Sequence, residues 1–114
     1  MKIYHNPRCG KSRAALKYLL DNGFKPEVIE YLKTPPTLNE LKEILSKANL
    51  KAFDLIRTKE DVYISVYKGK TLTEDQWIEA MIKNPILMER PIIVKADNVI
   101  IGRTEENLQE LLKT

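Results

Sequence analysis

His5-Asn6-Pro7-Arg8-Cys9-Gly10-Lys11-Ser12-Arg13 contains both the single cysteine and the single histidine of the chain. Just before it, Met1-Lys2-Ile3-Tyr4 reads as a short strand. Just after it, Ala15, Leu16, Leu19 and Leu20 recur at the spacing of one helix face, predicting a helix from Lys11 to Asn22. Gly23 follows as a stop, because glycine accepts the left-handed backbone of a helix C-terminus. A cysteine in a loop that feeds a helix faces unpaired N–H groups and the positive end of the helix dipole. That setting favours thiolate over thiol, which makes Cys9 the first candidate for chemistry.

Working outward, Glu27 to Tyr31 reads as a second strand, and strand–helix–strand at this length suits a right-handed crossover joining a parallel pair. Lys33-Thr34-Pro35-Pro36 is a rigid break. Thr37-Leu38-Asn39-Glu40 has capping-box spacing and opens a helix on Leu38, Leu41, Ile44, Leu45 and Ala48. Leu50 to Ile56 predicts another short helix, running into Arg57. Thr58 to Leu72 has β-prone residues without clean alternation and reads as a short helix and a loop. Thr73 to Gln76 is a second capping box, with Trp77/Ile78 and Met81/Ile82 one turn apart behind it. After Asn84-Pro85, Ile92-Ile93-Val94 and Val99-Ile100-Ile101 flank an Asp97-Asn98 turn as a hairpin. Thr104 then caps a last helix on Leu108, Leu111 and Leu112.

With the middle helices set aside, β-α-β and β-β-α remain. The expected fold is therefore α/β and thioredoxin-like: a four-stranded mixed sheet with a helical segment inserted between the second and third strands. It forms one domain over 1–114, with the insertion at about 37–84. In that fold a cis-proline opens the third strand beside the cysteine. Pro91 holds the matching place, so the Arg90–Pro91 peptide is expected to be cis.

Composition narrows the function classes. The 114 residues are 43% apolar and 31% charged, as in an ordinary soluble globular domain. A net charge of +3, with signs mixed along the chain, gives no case for nucleic acid. No apolar run approaches the length of a membrane span, and with a strand read from the second residue no signal peptide is expected. A lone cysteine suits a reducing compartment, so a cytoplasmic location is expected.

Spacing then sorts the cysteine chemistries. A dithiol centre needs a second cysteine three positions on, where Ser12 stands, so the site works as a monothiol. A phosphatase loop of the C-x5-R type needs arginine where Ala15 stands, and a cysteine protease needs a histidine elsewhere in the chain. What is left is one thiolate attacking an external electrophile or disulfide. Gly10 beside it lets the backbone approach an anion. Arg8, Lys11 and Arg13 are expected to favour the thiolate, and His5 to help if it faces Cys9. Arg57, Arg90 and Arg103, each at a segment end, are candidate anion ligands, because an arginine fork matches an oxyanion.

Tyr4 to Arg13, Tyr31 to Pro36, Leu55-Ile56-Arg57, Asn84 to Leu87 and Arg90 to Val94 together resemble the glutaredoxin-coupled arsenate reductase family. The likeness covers nearly the whole chain, and the superfamily also holds the Spx-type transcription regulators. The resemblance implies that Cys9 is the nucleophile that attacks arsenate, with His5 helping to activate it. It implies that Gly10, Ser12, Arg57, Arg90 and Arg103 hold the oxyanion and that Pro91 is structural at the site. Glutathione acts as co-substrate and glutaredoxin as partner, with no metal or tightly bound cofactor, no nucleic acid and no membrane. Two other readings stay open. One is an Spx-type regulator binding RNA polymerase, although Ser12 breaks the C-x-x-C switch usual there. The other is a monothiol reductase acting on glutathione mixed disulfides.

Overall fold

The computed structural model describes residues 1–102 and 105–112, with the side chains of residues 105, 111 and 112 left aside. In chain order it contains β1 (Lys2–His5), α1 (Gly10–Asp21), β2 (Glu27–Glu30), α2 (Leu38–Ala48), α3 (Glu74–Lys83), β3 (Ile92–Lys95), β4 (Asn98–Ile101) and α4 (Glu105–Leu112). Between α2 and α3 lie a 3-10 turn, Ala52–Leu55, and a π-helical turn, Tyr63–Tyr67. A second 3-10 turn, Pro85–Leu87, precedes β3.

The strand order is β2-β1-β3-β4. β1 pairs parallel with β2, and the β1–β3 and β3–β4 pairs are antiparallel. This is the thioredoxin-like mixed sheet, with its helical insertion between β2 and β3. The pattern of burial explains the order. Ile3, Tyr4 and His5 are all buried in β1, as are Ile92 and Ile93 in β3, which suits strands covered on both faces. β2 begins and ends in glutamate and lies at an edge, where charge discourages pairing with another chain.

Contacts within the chain group it into two compact units, residues 1–34 with 90–114, and residues 35–89. In the first, Ile3, Ala15, Leu19, Ile93 and Leu108 form a buried cluster joined by Leu16, Phe24 and Ile100. Leu20, expected on the same helix face, is 55% exposed, because the apolar face of α1 is narrower than its leucine spacing suggests. α1 ends as expected. Gly23 has φ of 84°, and the Phe24 N–H donates to the Leu19 carbonyl at 3.0 Å. In the second unit, Thr37 and Thr73 each complete the capping box read from the sequence.

The hairpin differs by one residue from the sequence expectation. Lys95 pairs with Asn98, so the two-residue loop is Ala96-Asp97 rather than Asp97-Asn98, and Ala96 takes φ of 54°. Register decides this: Ile92 opposite Ile101 and Ile93 opposite Ile100 fix the loop between them.

The Arg90–Pro91 peptide is cis, as expected. Gly102 locks the same region, since its N–H donates to the Pro91 carbonyl at 2.9 Å. A Cβ there would lie 2.8 Å from Ile93 Cδ1 and 3.1 Å from Leu108 Cδ2. Gly102→Ala is therefore expected to destabilise the fold by about 1–3 kcal/mol through overpacking. Urea unfolding measures this, and an unchanged midpoint would contradict the close packing.

Candidate active site

Local geometry builds the Cys9 loop from the residues preceding it. The Cys9 N–H donates to the Asn6 carbonyl at 3.0 Å, closing a turn over Pro7 and Arg8. Pro7 presets the backbone for the first central position of such a turn. Asn6 Oδ1 accepts the Arg8 N–H at 3.0 Å, reinforcing it. Asn6 is buried, and sequence reasoning did not single it out; an Asn-Pro pair opening a turn was the available signal.

Cys9 is the N-cap of α1, with extended backbone (φ −97°, ψ 123°) and no side-chain cap. The N–H groups of the first turn are thus left for whatever sits at the sulfur. Burial pushes the thiol up. The Ser12 N–H, the Arg90 side chain and the Lys11 N–H, all hydrogen-bonding to the thiolate, outweigh it and hold Cys9 below the usual thiol range. The neighbouring cations expected to do this are not the cause: Arg8, Lys11 and Arg13 have exposed side chains, and Lys11 acts through its backbone. Arg90 reaches the sulfur through the fold instead, from the residue before the cis-proline.

Ser12 is fully buried, and its hydroxyl turns inward. Its Oγ accepts the Asn6 N–H at 3.0 Å and lies 2.7 Å from His5 Nδ1. His5, also buried, is thereby held by Ser12, and its link to Cys9 runs through that residue: imidazole to Ser12 Oγ, then Ser12 N–H to sulfur. Burial lowers the His5 pKa; the Glu30 carboxylate opposes this and Arg13 adds to it, leaving the ring neutral at neutral pH. Ser12→Ala leaves the Asn6 N–H and His5 Nδ1 buried without this partner. A loss of about 1–3 kcal/mol is expected in a thermal or urea melt, and stability equal to wild type would refute the network's role.

Gly10 is the first residue of α1, and a Cβ there would meet only Arg13 Nη2, at 3.8 Å. Neither backbone nor packing demands glycine at that point; its absent side chain leaves open the approach to the first-turn N–H groups. Arg90 Nε is buried and has no hydrogen-bond partner among the described residues. Such an orphaned donor beside a cysteine held below the usual thiol range matches an anionic ligand. Arg57 belongs to the second unit. There its N–H donates to the Leu87 carbonyl at 2.7 Å and its guanidinium pairs with Glu60. Arg103 and Thr104 lie outside the described residues.

The model of the ArsC family matches residues 4–111. The chain belongs to the ArsC family. Among ArsC relatives, an arsenate reductase of Neisseria meningitidis is 42% identical over 98% of this chain and 97% of its own. The uncharacterized protein YfgD of Escherichia coli is 44% identical over 98% of this chain and 96% of its own. A solved arsenate reductase structure from Vibrio cholerae superposes with a TM-score of 0.86 at 36% identity, covering 98% of this chain and 94% of that one. Among the described residues no helix is long and apolar enough to cross a membrane.

Proposed function

We propose that the chain is an arsenate reductase dependent on glutathione and glutaredoxin. The observation that carries this reading is the buried Arg90 Nε, without a hydrogen-bond partner among the described residues, beside a cysteine held below the usual thiol range. First-turn N–H groups and Arg90 offset the charge that would otherwise repel thiolate from oxyanion, a form of preorganised electrostatic stabilisation. The Cys9 sulfur bonds to arsenic, and one arsenate oxygen takes up a proton and leaves as water. Glutathione thiolate then attacks the Cys9 sulfur. The sulfur–arsenic bonding pair stays on arsenic, which passes from pentavalent to trivalent and departs as arsenite.

The disulfide left between Cys9 and glutathione is reduced by glutaredoxin. Because the chain has a single cysteine, the second thiol must come from outside, and a reducing cytoplasm supplies it. Arsenate-dependent NADPH oxidation in the presence of glutathione, glutaredoxin and glutathione reductase is the test. Turnover is expected only with both thiol components present, and none with the full mixture would refute the assignment.

A further inference from the structure

Beside the Cys9 loop, within the first unit, lies a groove of about 250 Å³ lined by Asn6, Pro7, Arg8, Glu30, Leu32 and Lys33. It brings two parts of the sequence together, the turn before the cysteine and the segment leaving β2. The parallel pairing of β1 and β2, with His5 opposite Glu30, sets their C-terminal ends side by side. The apolar contribution comes from Pro7 and Leu32, a leucine that is 39% exposed. Around them stand two cations and one carboxylate. Lys33 Nζ and Glu30 Oε1 are 3.7 Å apart and both well exposed, a loose pair that a ligand can replace.

We infer that this groove is the subsite for the γ-glutamyl end of glutathione. The inference rests on the proposed reading, which needs an external thiol at Cys9. The γ-glutamyl end is a zwitterion: its α-carboxylate matches Arg8 and Lys33, its α-ammonium matches Glu30, and its methylenes match Pro7 and Leu32. The volume suits one residue of the tripeptide rather than the whole, so the cysteinyl sulfur is left to reach outward. Arg8 adjoins Cys9 in the chain, with about 3.8 Å between their Cα atoms. Seven bonds separate the γ-glutamyl Cα from the glutathione sulfur, so the anchored tripeptide spans the gap to the Cys9 sulfur.

The test is an amide NMR titration with S-methylglutathione, which cannot form a disulfide and so reports binding alone. Saturable shifts are expected at Asn6, Arg8, Glu30, Leu32 and Lys33. Lys33→Glu is expected to weaken binding by about tenfold while keeping a native-like spectrum, as an exposed attraction becomes a repulsion. Des-amino S-methylglutathione, lacking the ammonium, is expected to bind more weakly to the wild-type protein. Shifts clustered away from the groove, or equal affinity in Lys33→Glu, would overturn the assignment even if arsenate is reduced. Shifts in the groove with no arsenate turnover would support the subsite and refute the substrate.

Discussion

Cys9→Ser is expected to abolish arsenate reduction, lowering turnover by roughly a thousandfold or more. A serine hydroxyl in the same place is far less acidic than a thiol, and an oxygen–arsenic ester cannot hand its bonding electrons to arsenic as a sulfur–arsenic bond can. The fold should be untouched, because the Cys9 side chain makes no cap and only its backbone closes the turn to Asn6. First-turn N–H groups and Arg90 remain in place in the variant, so arsenate binding should survive while chemistry fails. Coupled NADPH oxidation measures the first effect, and protection of the fold against thermal unfolding by arsenate measures the second. Equal turnover in wild type and variant would remove Cys9 from the mechanism.

Arg90→Ala should lower arsenate turnover by about a hundredfold to a thousandfold, the range seen when one preorganised donor is lost from a charge-stabilising site. Two effects combine. The thiolate loses a charge-assisted hydrogen bond and a neighbouring positive charge, and the oxyanion loses the otherwise unpartnered Nε. The pH dependence separates them. Cys9 is held below the usual thiol range, so the wild-type rate should fall only once the pH drops through that depressed value. In Arg90→Ala the acid limb should move to higher pH, as followed by the pH profile of iodoacetamide alkylation. Arg90→Lys should keep part of the thiolate but less of the oxyanion binding, since a lysine offers a point charge without the fork. A reductase of glutathione mixed disulfides needs no oxyanion ligand. Turnover of a glutathionylated thiol that survives Arg90→Ala, with arsenate turnover absent in wild type, would favour that reading.

Much of the fold was legible because its signals are local. Thr37 and Thr73 announce their helices by a residue three positions on and Gly23 by its tolerance of positive φ, whereas Pro91 was legible only from its place at the start of the third strand of the expected fold. The π-helical turn Tyr63–Tyr67 was read only as a short helix and a loop, since its aromatic residues carry β propensity and are held among Phe53 and Trp77. The hairpin loop slipped by one residue for a similar reason. Asp-Asn is the better turn pair by residue type, yet strand register places Ala96 in the loop with φ of 54°. Register is a property of two strands and a buried face, not of four consecutive residues.

At the site, the sequence by itself singled out the candidate nucleophile. One cysteine at a strand–helix seam, with Ser12 and Ala15 at the positions that would make it a dithiol or a phosphatase, leaves a monothiol on a helix N-terminus. Backbone geometry near a residue follows from its neighbours in the chain, so that much was fixed locally. Only the tertiary structure decided what surrounds the sulfur. It sent the Ser12 hydroxyl inward to His5 and Asn6, left Arg8, Lys11 and Arg13 at the surface, and brought Arg90 to the thiolate from far along the chain. Charge acts through space, and β3 lying antiparallel beside β1 carries the arginine that precedes it to Cys9.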